Sequence, residues 1–495
     1  MMRSGIVLAI FSSAVGYAGS PAITVYNQDF GVVREVVSMD LTSGVNDVSF
    51  ANATAHVEAD SVILRDHSGR RNLQILEQNY RNDPASQERL LALFEGQTID
   101  FLVPRANGDP ETVRGRIVRS GYVPHQNAWS RYGQNYYQAQ AAMMNSGGNT
   151  PIIEIDGKLR FGLPGTPLFP ALGDDTILKP TLSWKLATDT AGPLDAELAY
   201  ITGGMSWEAD YNITGAEDAS TIDITGWVTI DNQTGRTFQD ARIKLMAGDV
   251  SRIQEQMVGG AGGGYRMYEM ADRAAGPVTE KTFDEYHLYT LSNATTLRDS
   301  ETKQVEFIRA SGVKADRIYV YDGFKNQYQG DTRYNQQYGT DSNTKVWVMR
   351  EFQNSDKNHL GIPLPAGRMR FYQRDADDAQ LEFVGENKID HTPKDERIRV
   401  YTGNAFDIVG ERTQTDYKVD QERDWLDESF EIVVRNHKET AVEVRIVEHL
   451  YRWVNWEIQK HSDEYSKTDA RTIEFRVNVP ADGEKKVTYK VHYSW

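Results

Sequence analysis

Between Met205 and Thr214 the chain alternates without a break. Met205, Trp207, Ala209, Tyr211 and Ile213 fall on one side, and Ser206, Glu208, Asp210, Asn212 and Thr214 on the other. Side chains on a strand have period two, so this pattern predicts a half-buried strand with an aromatic inner face. The pattern resumes at Ile222, Ile224, Val228 and Ile230. It breaks at the Asp231-Asn232-Gln233-Thr234-Gly235 turn and returns at Ala241, Ile243, Leu245 and Ala247. Three consecutive strands joined by polar turns predict one sheet.

The same arrangement echoes later. Val228 to Asn232 followed by Ala241 to Leu245 resembles Ile432 to Asn436 followed by Val442 to Val447, and Phe352-Gln353-Asn354 reads as a third copy. An alternating strand, an Asn-led turn and a returning strand recur in two-sheet sandwiches. The expected class is therefore mainly β: antiparallel, Ig-like β-sandwich modules, two or three in number, with one short N-terminal helix. Abundant Tyr, Trp, Val, Ile and Thr agree with it.

At 495 residues the chain exceeds what one core usually serves, so several domains are expected. Residues 1–18 read as a secretory signal peptide: Arg3, an apolar run from Ile6 to Phe11, and small residues at Gly16 and Ala18. Residues 22–121 read as a small β-domain, in which Val32–Leu41 and Asn46–Phe50 are expected to form a hairpin. One helix is expected with Asp83 as N-cap, Pro84 at its first position and Gly96 as its stop. Residues 122–184 read as a connector. Its Tyr- and Gln-rich part, Tyr122 to Thr150, is expected to be a mobile loop, followed by a Pro-rich segment. Residues 185–495 read as the sandwich region, as one unit or as two modules, 185–345 and 346–495. Gly259–Gly264 lacks the Gly-Lys-Ser/Thr ending of a phosphate loop and reads as a linker.

Several separated segments of this region resemble the bacterial domain-of-unknown-function 4139 family. They are Ala199 to Tyr211, Gly226-Trp227-Val228-Thr229, Tyr286 to Leu291, Glu301-Thr302-Lys303-Gln304 and Gly361 to Gly367. The resemblance covers roughly residues 185–495, and residues before it are similar to the β-domain that often precedes that family. It implies a β-rich exported protein. It implies no catalytic residues, because the family has no established activity to carry over.

The formal net charge of −17 argues against nucleic acid, whose backbone needs a basic surface. Without cysteine there are no disulfides, thiolate metal sites or cysteine nucleophiles. No later apolar run is long enough for a transmembrane helix. Candidate chemistry is sparse. Glu208 and Asp210 share one strand face, roughly 7 Å apart along the strand, a spacing an inverting glycosidase could use. A solvated or cross-strand-paired polar face explains them equally well. Asp375, Asp377 and Asp378 are candidate calcium ligands, although the Gly and distal Glu of an EF-hand loop are missing. Glu285 with His287, and Glu448 with His449, supply no third metal ligand. The Leu450–Trp456 aromatic cluster reads as core.

The expectation is thus an exported, periplasmic or extracellular, non-catalytic binding or scaffolding protein. Its partner would be a protein or glycan of the cell envelope, and no cofactor is expected. The alternatives are an extracytoplasmic hydrolase using strand-borne carboxylates and an outer-membrane-associated β-protein. The alternating final strand, ending Val491, Tyr493 and Trp495, suggests the last of these.

Overall fold

The computed structural model describes residues 13–14, 16–17, 19–82, 86–105, 109–121, 150–170, 177–216, 220–248, 250, 278–283, 286–324, 334–375, 377–420, 422 and 424–495. The protein is mostly strand, in several sheets consistent with β-sandwich layering. One α-helix, Gln87–Leu93, occurs among the described residues. Asp83 and Pro84 lie outside them. The helix is capped by Ser86, whose side chain accepts a hydrogen bond from the Arg89 backbone N–H, and Leu91 is its buried residue. No helix among the described residues is long and apolar enough to cross a membrane.

The organising strand, Met205–Ala216, pairs antiparallel with Thr221–Asn232 as its alternation predicts. The third strand, Phe238–Ala247, does not join that sheet. It crosses to the facing one and runs parallel to Ala22–Tyr26. The other two echoes do the same. After Lys345–Gln353 the chain crosses over, and Gly367–Arg374 lies parallel to Ala209–Ala216. After Trp425–Asn436, Val442–His449 lies parallel to the end of Glu301–Asp322. The expected hairpin of Val32–Leu41 with Asn46–Phe50 is also a crossing, because Phe30–Leu41 and Gly44–Ala51 belong to different sheets. Alternation reports that a strand has one apolar face; it does not report which layer the next strand joins.

The crossings are held by buried asparagines. The Asn232 amide N–H groups donate to the carbonyls of Arg236, Leu297 and Arg298, and its Oδ1 accepts from Thr234. Asn436 donates to Thr440, Val479 and Pro480, and accepts from the Lys438 backbone. Asn354 donates to Ile362 and Pro393, and accepts from the Gly361 backbone. A chain leaving a sheet strands its carbonyls, and a buried amide satisfies several of them at once.

Two large cores result. Val33, Val37, Phe50, Trp184, Trp207, Tyr211 and Leu245 belong to the first, which joins the N-terminal strands to the organising stretch. Phe430, Ile446, Phe475, Tyr489 and Tyr493 belong to the second. The final strand therefore turns its apolar face onto a sandwich interior. A small third core surrounds the helix and a five-stranded sheet. That unit is inserted between Gln74–Arg81 and Thr181–Thr188, two strands that pair directly.

Residue 184 lies inside the strand Thr181–Thr188, and residue 345 opens Lys345–Gln353. The segments Gln304–Ile308 and Arg317–Tyr321 are parts of one 22-residue strand, Glu301–Asp322. Counted along the chain, that strand and the 24-residue Arg397–Asp420 run from the second sandwich, where Ala310, Val313, Ile398 and Val400 sit in the first core, into the third, where Tyr319, Tyr321 and Ile408 sit in the second core. Within the expected leader, Ser13–Ala14 lies along Val48–Ser49 and Gly16–Tyr17 along Val37–Ser38; most of its other residues, with 122–149 and Gly259–Gly264, lie outside the described residues.

Candidate functional site

The carboxylates singled out from sequence do not converge on a concave site. Glu208 is exposed opposite Thr229. Asp210 is buried and already engaged: the Thr229 hydroxyl donates to it at 2.9 Å and Arg370 Nη1 at 3.3 Å. Asp375, Asp377 and Asp378 sit on the turn between Gly367–Arg374 and Leu381–Ile389. Asp375 Oδ1 accepts from the Asp377 N–H, and Asp378 Oδ1 from the Gln380 N–H. They are short Asx turns that satisfy their own loop. Among the described residues no three His, Asp or Glu side chains are grouped to hold a metal ion. Glu285 lies outside the described residues.

Glu448 and His449 have separate roles. Glu448 is fully buried with Arg412 at 2.9 Å, and the Tyr489 hydroxyl donates to it at 2.5 Å. Burial, and then the Glu448 carboxylate, push the Tyr489 hydroxyl well above its ordinary range, which keeps it a proton donor. A second buried pair, Arg452 with Glu428 at 2.7 Å, lies in the same core. His449 reaches outward to Asp322 at 2.9 Å, and that hydrogen bond raises its pKa. From the aromatic cluster, Leu450 and Arg452 are core and Trp453 packs against it.

The structure does gather cations. A cleft of about 210 Å3 opens between the second and third sandwiches. Its lining includes Arg317, Arg350 and Lys438, the neutral polar residues Gln373, Thr402 and Asn404, and apolar side chains such as Ile213 and Val348; among the described residues no Asp or Glu takes part. Arg317 and Arg350 are direct partners across the antiparallel ladder of Glu301–Asp322 and Lys345–Gln353. Opposed residues on one face stand about 5 Å apart at Cβ, and like charges there destabilise the pair. Arg317 Nη2 lies 3.5 Å from Gln373 Oε1. Among the described residues no carboxylate meets Arg350, and burial, then the facing Arg317, pull its guanidinium down to about 10. Lys438 comes from the turn after Asn436 and holds its ammonium 5.9 Å from the Tyr319 ring.

These cations are not among the candidates that the sequence offers. The signal was an arginine in phase with Tyr319 on one strand and with Val348 on the other. Their convergence depends on register, which alternation alone does not supply. A second, more open cleft beside the edge strand Trp456–His461 is lined by Trp456, Tyr465, Lys467, His492 and Ser494. There His492 is held by Asp427 at 2.6 Å, which also pairs with Lys490.

No family model matches the chain, and no curated protein matches it.

Proposed function

We propose that the chain is an exported protein of the cell envelope that binds its partner without transforming it. The cleft between the second and third sandwiches receives an anionic group of that partner. The observation that carries this reading is Arg317 facing Arg350, with Lys438 beside them and no carboxylate in the lining, in a chain of formal charge −17. Among the described residues no carboxylate pairs with Arg350, and the facing Arg317 adds a like charge, a cost that a bound anion recovers. The signal-like N-terminus and the resemblance to the 4139 family support the exported, envelope part of the reading. An active hydrolase would bring carboxylates together in a concave site. Asp210 is instead committed to Thr229 and Arg370, which favours binding over catalysis.

Isothermal titration of the protein with inorganic phosphate and with small carboxylates tests the proposal. One saturable site is expected, weakened by added salt and lost in the Arg317→Met/Arg350→Met double variant. Absence of saturable binding by any small anion, or equal binding by the folded double variant, overturns it.

A further inference from the structure

The five-stranded sheet of the inserted unit turns one face to a core and leaves the other outward. Ile153 pairs with Ile117 across the ladder, and both belong to the small core that Leu91 of the helix completes. Side chains alternate along a strand, so Ile152 and Glu154 fall on the opposite, outer face. The strand Lys158–Phe161 ends the sheet at one edge, beside Ile152–Ile155. Phe161 stands opposite Ile152 and Leu159 opposite Glu154, so Phe161 and Leu159 also lie on the outer face.

Those two side chains are 73% and 62% exposed. A bare Phe beside a bare Leu, on one face of an edge strand, gains nothing for the fold and suits a partner that covers both. The hairpin that carries them is tightly turned. Ile155 pairs with Lys158 around Asp156 and Gly157, whose φ angles of 49° and 73° suit the type I′ turn that matches strand twist. The register is therefore fixed, and the apolar pair is held at the edge by design of the turn.

Cations surround the pair. Lys158 and Arg160 alternate with Leu159 and Phe161 on the edge strand, and Arg119 stands opposite Ile152 on Glu111–Arg119. All three are exposed, and among the described residues none of them has a carboxylate partner. The acids of the outer face are matched, Glu154 by Arg116 and Asp100 by Arg114. Even with the turn carboxylate of Asp156 counted, this edge is basic, in a chain of formal charge −17.

An apolar protein groove would cover Phe161 and Leu159 but strip water from the cations. A second copy would bring the same cations towards one another. An anionic lipid surface satisfies both sets: the head groups neutralise the cations while the apolar pair enters the boundary with the acyl chains. Long Lys and Arg stems keep their charged ends at head-group level as the neighbouring side chains go deeper. We infer that the hairpin 152–161 is a peripheral docking surface for an anionic lipid membrane, with Phe161 and Leu159 inserted and Lys158, Arg160 and Arg119 on the phosphates. This surface belongs to a different unit from the anion cleft and does not depend on it.

Co-sedimentation of the full chain with vesicles tests it, using phosphatidylcholine alone and an equimolar mixture of phosphatidylcholine and phosphatidylglycerol. Sedimentation with the mixed vesicles and not with phosphatidylcholine is expected, and added salt should release the protein. Phe161→Ser/Leu159→Ser should weaken binding to the mixed vesicles at least about tenfold, and Lys158→Gln/Arg160→Gln by a similar factor. All four positions are exposed, so these variants keep the fold, which circular dichroism verifies. Phe406→Ser removes a phenylalanine that is 94% exposed on another unit, and should leave binding unchanged. No binding to the mixed vesicles, or equal binding to phosphatidylcholine, overturns the inference on the native chain alone. An equal loss in Phe406→Ser also overturns it, because adsorption would then follow any bare apolar group. Self-association that Phe161→Ser/Leu159→Ser abolishes, without vesicle binding, gives the surface to a second copy and overturns it as well.

Discussion

Residues in this protein fall into those that hold the layers together and those that line its cleft. Trp207 belongs to the first kind: it is buried, its indole N–H donates to the Met246 carbonyl at 3.1 Å, and its ring meets Tyr289. Trp207→Ala should cost about 3–5 kcal/mol in denaturant unfolding, whereas Glu208→Gln, on the solvent side of the same strand, should stay within about 0.5 kcal/mol. A large loss at Glu208 would show that its carboxylate does more than face water. Glu428 is fully buried against Arg452, so Glu428→Ala should destabilise by about 3–5 kcal/mol by leaving an unpaired buried cation. His449 supplies a pH signature. Its pKa is raised above 6.5 by the Asp322 hydrogen bond, so the pair contributes stability that is fully present below that value and fades as pH rises through the raised one. The stability difference between the native chain and His449→Gln should therefore shrink from about pH 5 to about pH 9, as unfolding curves across that range can check. A difference that grows with pH contradicts the assignment.

Elements show what the sequence could and could not reveal. Period-two alternation located the strands around Trp207, Ile230 and Val434, because one-sided burial leaves that mark in any half-buried strand. The three Asn-led turns were visible as an echo, and Asn232, Asn354 and Asn436 do occupy matching corners. What could not be read was the crossing at each corner, since a returning strand has the same pattern in either sheet. The cleft was hidden for a related reason. Arg317 and Arg350 are 33 positions apart, and only register sets them opposite one another. Glu208 and Asp210, adjacent on one strand, caught the eye because their spacing is local. The corners yield a prediction. Asn436→Ala removes donors from three carbonyls near the second core and should cost about 2–4 kcal/mol, more than Asn404→Ala at the cleft edge. Gly226 yields another: a Cβ there would come within 2.3 Å of Ile308 and 2.7 Å of Phe307, so Gly226→Val should force the sheet apart and lower the melting temperature.

At the scale of the whole molecule, Glu301–Asp322 and Arg397–Asp420 stitch the second and third sandwiches into one body. Calorimetry should find these two sandwiches melting in a single transition, and two resolved transitions would show that the shared strands do not couple them. The cleft lies where these long strands run side by side, so an anion there touches both sandwiches at once. Its most direct test is a melting experiment with two variables, the Arg350→Met substitution and added inorganic phosphate. Met relieves the facing charges, so the variant should melt above the native chain without ligand and should not respond to it. The native chain should start lower and rise with ligand concentration. If instead Arg350→Met melts below the native chain and phosphate raises both or neither, the arginines hold the fold together and do not wait for an anion.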